Sequence, residues 1–93
     1  MYRVVVLYEE APDVDSYAEH AEVCEQVPNG VFRHGRVTGA PMGEPAHAYY
    51  AEWEFADEQA FQSAIRSDEF MATGKDAYKR GFSQPTVEFL ELS

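Results

Sequence analysis

Basic residues are scarce in this chain: seven Lys and Arg stand against seventeen Asp and Glu, a formal net charge of −10 at pH 7. Nucleic acid and anionic membranes both require positive surface, so neither is expected as a partner. Such acidity serves either a cationic ligand or a well-solvated surface. Cysteine is nearly absent too. The one example, Cys24, excludes an internal disulfide and suits a reducing compartment. No apolar stretch approaches the roughly 20 residues that span a bilayer. The N-terminal residues do not pair a basic region with an apolar run, as a signal peptide would. The expected location is cytoplasmic. Phosphate-binding glycine loops, zinc motifs and nucleophile elbows are missing, as are internal repeats and low-complexity segments.

Aromatic residues are plentiful. They make up 14% of the 93 residues, within a hydrophobic total of 45%, enough to give one domain over residues 1–93 a real core. The chain is organised around Tyr49-Tyr50-Ala51-Glu52-Trp53-Glu54-Phe55-Ala56, followed at once by Asp57-Glu58-Gln59-Ala60-Phe61. Alternate side chains of a strand point to opposite faces, so Tyr49, Ala51, Trp53 and Phe55 share an apolar face. Tyr50, Glu52 and Glu54 share the other. The period then changes: Asp57 caps a helix on which Phe61, Ala64 and Ile65 recur at helical spacing.

The remaining elements fall around this strand. Tyr2 to Tyr8 reads as a central strand, apolar on both faces. Pro12 and Asp13 open a helix with a stripe of Val14, Tyr17, Ala18, Ala21 and Cys24, and His20 lies at the margin of that stripe. Pro28-Asn29-Gly30 ends that segment, with Asn or Gly available for a left-handed residue. Val31 to Thr38 reads as a polar edge strand, and Gly39 to Pro45 as a loop. Ser67-Asp68-Glu69 starts a further helix, with Phe70, Met71, Gly74, Ala77 and Tyr78 as its stripe and Gly81 as its end. Thr86 to Leu92 is the last strand.

The order β-α-β-β-α-β predicts an α+β, ferredoxin-like antiparallel sheet with helices on one face. Helices cover only one face of the first strand, and exposing Val, Leu and Tyr on the other costs roughly 25 cal/mol per Å². A second copy of the sheet is the simplest cover. The expectation is therefore a homodimer, joined through the face of Tyr50, Glu52 and Glu54 as a dimeric α+β barrel.

The strand and helix from Tyr49 to Asp57 with Phe61, and Ser67-Asp68-Glu69 before a helix, resemble the ethyl tert-butyl ether degradation (EthD) family. His20 and the Pro28-Asn29-Gly30 turn resemble the family's histidine and proline-glycine turn, and Asp76 and Phe82 stand where it often has Asp and Phe. The chain departs from the family at His20-Ala21-Glu22-Val23, where a His-x-Pro-Leu run is usual. The resemblance implies a dimeric α+β barrel linked to oxidative degradation of a small apolar or aromatic molecule held in its cavity. It also leaves room for a non-catalytic binding or stress-response barrel, and for a monooxygenase of the antibiotic-biosynthesis type.

His20 is the leading acid–base candidate, since imidazole exchanges protons near neutrality. The alternative is a half-buried histidine bonded to a backbone carbonyl. If the resemblance holds, Asp76 from the second half of the chain meets it and fixes its tautomer. Glu52 is the second catalytic candidate, as a carboxyl raised by desolvation in the barrel cavity; alternatively it pairs with Arg3 or Arg36. Tyr17, Tyr50, Trp53 and Asp76 are candidates to contact a ligand, although Trp53 also suits the core. Cys24 is either a thiol activated by His20 or an inert buried cysteine. His20 and Cys24 could be two metal ligands, but two do not make a site. Neither a metal nor a bound cofactor is expected.

Overall fold

The computed structural model describes residues 1–93. Its elements are β1 (Tyr2–Tyr8), α1 (Val14–Cys24), β2 (Gly30–Arg36), β3 (Tyr49–Phe55), α2 (Glu58–Ile65), α3 (Asp68–Lys79) and β4 (Thr86–Glu91). Local chemistry sets the helix starts. The Asp13 carboxylate accepts from Ser16 N at 2.9 Å, Asp57 from Ala60 N at 2.8 Å, and Ser67 Oγ from Phe70 N at 3.1 Å. Each cap satisfies a backbone donor that the first helical turn leaves free. The Ser67 cap divides α2 from α3, as the sequence predicts.

The four strands are antiparallel in the order β2-β3-β1-β4, with the helices on one face. This is the ferredoxin-like arrangement. β1 and β3 are central, and their helix-facing residues Val4, Val6, Tyr8, Ala51, Trp53 and Phe55 are buried against Tyr17, Ala21, Cys24, Phe61 and Ala64. Asn29 adopts a left-handed conformation (φ 70°) at the turn before β2. Gly30 follows because nothing larger fits: an added Cβ would lie 2.6 Å from Phe55 Cε1.

Two expectations need correction. The apolar stripe of α3 is not buried in the core; Met71 and Tyr78 are 57% and 86% exposed. The helix packs on α1 rather than flat on the sheet, so this stripe borders a gap. The outer sheet face is also more polar than β1 alone implies. Register places Arg3, Val5 and Leu7 beside Glu54, Glu52 and Tyr50, and Arg33 of β2 beside Glu52. Salt bridges and hydrogen bonds among Arg3, Arg33, Tyr50, Glu52 and Glu54 occupy that face.

Candidate acid–base pocket

Residues 17, 20, 21 and 24 fall on one side of α1, and Tyr17, His20, Ala21 and Cys24 are all buried there. His20 ends only 3% exposed. Its Nδ1 lies 2.7 Å from Asp76 Oδ2 and its Nε2 lies 3.3 Å from Cys24 Sγ. Asp76 is held in turn by Arg80, whose Nε donates to the same Oδ2 at 2.7 Å. Arg80 caps the end of α3 one turn after Asp76, the spacing at which helical side chains meet. Arg80 also donates to Ser16 Oγ at 3.3 Å and to Glu19 Oε1 at 2.9 Å, tying α3 back to α1.

The electrostatics of this chain of contacts agree with one another. Burial pushes the Asp76 carboxyl up, but hydrogen bonds from Arg80 and His20 and their charges outweigh it, so the carboxyl lies below its ordinary value. Asp76 therefore accepts and His20 Nδ1–H donates. Burial, with the charges of Asp76 and Glu25, pushes the Cys24 thiol up to about 12. Cys24 stays a thiol and a weak donor to Nε2, which makes it the inert cysteine and not an activated one. Because Asp76 and Cys24 engage opposite ring nitrogens, the three groups do not converge on a point. No group of three or more His, Cys, Asp or Glu is placed to hold a metal.

His20 lines a half-open cavity of about 540 Å³ between the helices and the sheet. Its wall is mostly apolar: Val6, Ala51, Trp53, Phe70, Ala77 and Phe82 contribute, with Tyr8, Tyr17 and Thr73. The stripe of α3 that misses the core forms its rim through Met71, Gly74 and Tyr78, opposite Val87 of β4.

The structure sorts the sequence-predicted site residues into two groups. His20, Tyr17 and Trp53 border the cavity, and Asp76 stands behind His20. Tyr17 packs edge-on against the imidazole, with ring centroids 5.1 Å apart. The Trp53 indole donates to Cys24 O at 2.9 Å, so it also pins the end of α1 to the sheet. Glu52 and Tyr50 lie on the opposite face of the sheet, away from this cavity. The Glu52 carboxyl is not raised, contrary to expectation. Burial does push it up, but hydrogen bonds from Tyr50 and Arg33 and the charges of Arg3 and Arg33 bring it below its ordinary value. Its cross-strand partner on β2 is Arg33, not Arg36.

Sequence reading missed Arg80 and Tyr8. The Asp76–Arg80 spacing was a readable helical ion pair, and Tyr8 continues the inward alternation of Val4 and Val6.

A solved EthD-family protein from Bacillus halodurans is 30% identical, over 100% of this chain and 99% of its own, with a TM-score of 0.77. A dimeric ferredoxin-like protein of unknown function from Jannaschia sp. has a TM-score of 0.69 at 19% identity, over 98% of this chain and 97% of its own. SnoaB, a cofactor-independent oxygenase from Streptomyces nogalater, has a TM-score of 0.56 at 18% identity, over 98% and 89%. At these two lower identities the likeness is one of fold. No protein-family model and no curated protein sequence matches the chain.

The Asp76 contacts predict a pH dependence of stability. A folded carboxyl below its ordinary value stabilises the fold above the usual carboxylate range, and that stabilisation is lost as pH falls through and below the range. Asp76→Asn should lower the free energy of unfolding by roughly 1–3 kcal/mol at neutral pH, the usual worth of hydrogen bonds to a charged group. The difference from wild type should shrink on acidification. Denaturant titrations across pH check this, and a difference that stays constant would contradict it.

Proposed function

The chain belongs to the ethyl tert-butyl ether degradation (EthD) family, and we propose that it binds a small apolar or aromatic molecule between its helices and sheet and moves a proton on that molecule with His20. The observation that carries the reading is a buried imidazole that lines a mostly apolar cavity and has one nitrogen held by Asp76. A base oriented by a third group in this way contributes roughly 10²–10⁴-fold to proton transfer. Asp76 and Arg80 are positioning residues: they set the tautomer and ring orientation. Tyr17 and Trp53 shape the wall. The cavity size lies within the usual range for small-molecule sites. In this reading the protein acts, without a bound cofactor, as an oxidoreductase or an accessory in the oxidative degradation of its ligand.

One observation favours a second reading, a non-catalytic barrel that sequesters its ligand. Cys24 Sγ, 3.3 Å from Nε2, already occupies the lone pair that a base requires. A thiol is a weak donor, so a more acidic ligand proton would displace it.

The experiment uses a panel of small aromatic hydrocarbons, ketones and phenols, followed for binding by calorimetry and for turnover by mass spectrometry and dioxygen uptake. The expected result is turnover of at least one bound compound, reduced at least 100-fold in His20→Gln with binding retained. Binding without turnover supports sequestration. A protein that binds no member of the panel refutes both readings.

We further infer a homodimer through the outer sheet face bearing Tyr50, Glu52 and Glu54. Val31 and Leu90 lie beside Glu54 and Arg3 in register and are 54% and 39% exposed, giving that face an apolar border around its charges. The Jannaschia protein of the same fold is described as dimeric. Sedimentation at micromolar concentration should give twice the monomer mass, and Leu90→Asp should lower it toward the monomer. A wild-type monomer would contradict this assembly.

A further inference from the structure

Two tyrosines in the cavity wall have no hydrogen-bond partner. Tyr8 and Tyr17 are each 2% exposed, come from different elements, and meet edge-on with ring centroids 6.2 Å apart. Both border the cavity, beside His20 and Phe82. The buried polar groups of the same wall are spoken for: Trp53 Nε1 by Cys24 O, Thr73 Oγ1 by Phe70 O, and Cys24 Sγ by His20. Tyr49, which packs on both rings, is engaged with His34 Nδ1 at 2.7 Å.

Buried hydroxyls are nearly always paired, because leaving one unpaired forfeits its hydration for nothing. Neither tyrosine oxygen is sealed in the interior without a partner; the one such buried atom is Arg3 Nε. Each hydroxyl thus keeps a sliver of accessible surface, and the cavity is the open space that both rings border. Burial pushes the Tyr8 phenol up to about 12 and the Tyr17 phenol up as well, so both remain O–H donors across the physiological range.

We propose that Tyr8 and Tyr17 are the cavity's oxygen-recognition groups, donating hydrogen bonds to a carbonyl or phenolic oxygen on a small aromatic or apolar ligand. The inference rests on the pocket reading above and narrows its substrate class to enolisable carbonyl compounds and phenols. The proton balance closes with the groups present. A C–H or O–H bond of the substrate breaks, its proton passes to His20 Nε2, and the electron pair remains on the substrate. It delocalises onto the oxygen held by the tyrosines. Donors aimed at the atom where charge develops bind the ionised form better than the neutral one, which is how such a site accelerates ionisation.

The test compares 1-naphthol with naphthalene, which has the same body and no oxygen, by calorimetric titration of wild type, Tyr8→Phe, Tyr17→Phe, the double variant and Tyr49→Phe. Thermal midpoints verify that each is folded. Wild type should bind 1-naphthol more tightly than naphthalene. Each single cavity variant should weaken 1-naphthol by roughly 3–10-fold and leave naphthalene unchanged, while Tyr49→Phe changes neither. In the double variant the two probes should converge. Equal losses for both probes would show that the rings only pack, and equal wild-type affinities would show that the oxygen is not read; either overturns the inference and leaves the pocket reading standing. Failure of both probes to bind wild type overturns the inference and the pocket reading together.

Discussion

The hydrogen bond between His20 Nδ1 and Asp76 Oδ2, 2.7 Å long, joins the two halves of the chain where they form the pocket. Its ends lie 56 positions apart in the sequence. It ties α1 to α3, and Arg80 doubles the tie through Ser16 and Glu19. With α3 leaning on α1, the stripe of Met71, Gly74, Ala77 and Tyr78 stands away from β4 and leaves the cavity open. At the start of α3 Phe70 still reaches Trp53, at 5.5 Å between ring centroids. One contact therefore orients the imidazole and also keeps a space beside it.

Both sheet faces carry charge, but in different ways. On the outer face Arg3, Arg33, Glu52 and Glu54 pair with one another, and the glutamate nearest the centre is depressed by its partners. On the inner face the single ionised carboxylate near the pocket, Asp76, is matched by Arg80. Its effect on the cavity is transmitted through an imidazole. Opposite charges stabilise carboxylates on both sides, yet only the inner arrangement leaves a nitrogen beside an apolar space. The proton transfer proposed for His20 is placed on the helix side of the sheet for that reason.

Much of the fold was legible because it follows local rules. The alternation in β3, the Asp13, Asp57 and Ser67 caps and the order of elements all appear in the structure, with strand ends shifted by one or two residues. The His20–Asp76 pairing came from the family resemblance. Composition could not supply it, since nothing local links residues 56 apart. What failed was long-range. Periodicity shows that α3 has an apolar stripe but not whether that stripe meets a sheet or a gap. β1 taken alone looks apolar on both faces, because the Glu52 and Glu88 that flank Val5 in space are distant in sequence. For the same reason the sequence makes Glu52 a second catalytic candidate, while register turns it to the sheet face away from the helices and His20. Tyr8 was passed over because an inward tyrosine on a core strand looks like packing until its hydroxyl is found without a partner.

The central claim is that Asp76 fixes His20 with its proton on Nδ1 and leaves Nε2 as the unprotonated nitrogen. A long-range nitrogen–proton correlation spectrum of the imidazole side chains, recorded near neutral pH with His20 assigned by substitution, tests it directly. It should show Nδ1 protonated and Nε2 bare in the neutral ring, with that preference weakened in Asp76→Asn. A neutral His20 carrying its proton on Nε2, or one exchanging freely between tautomers, would contradict it.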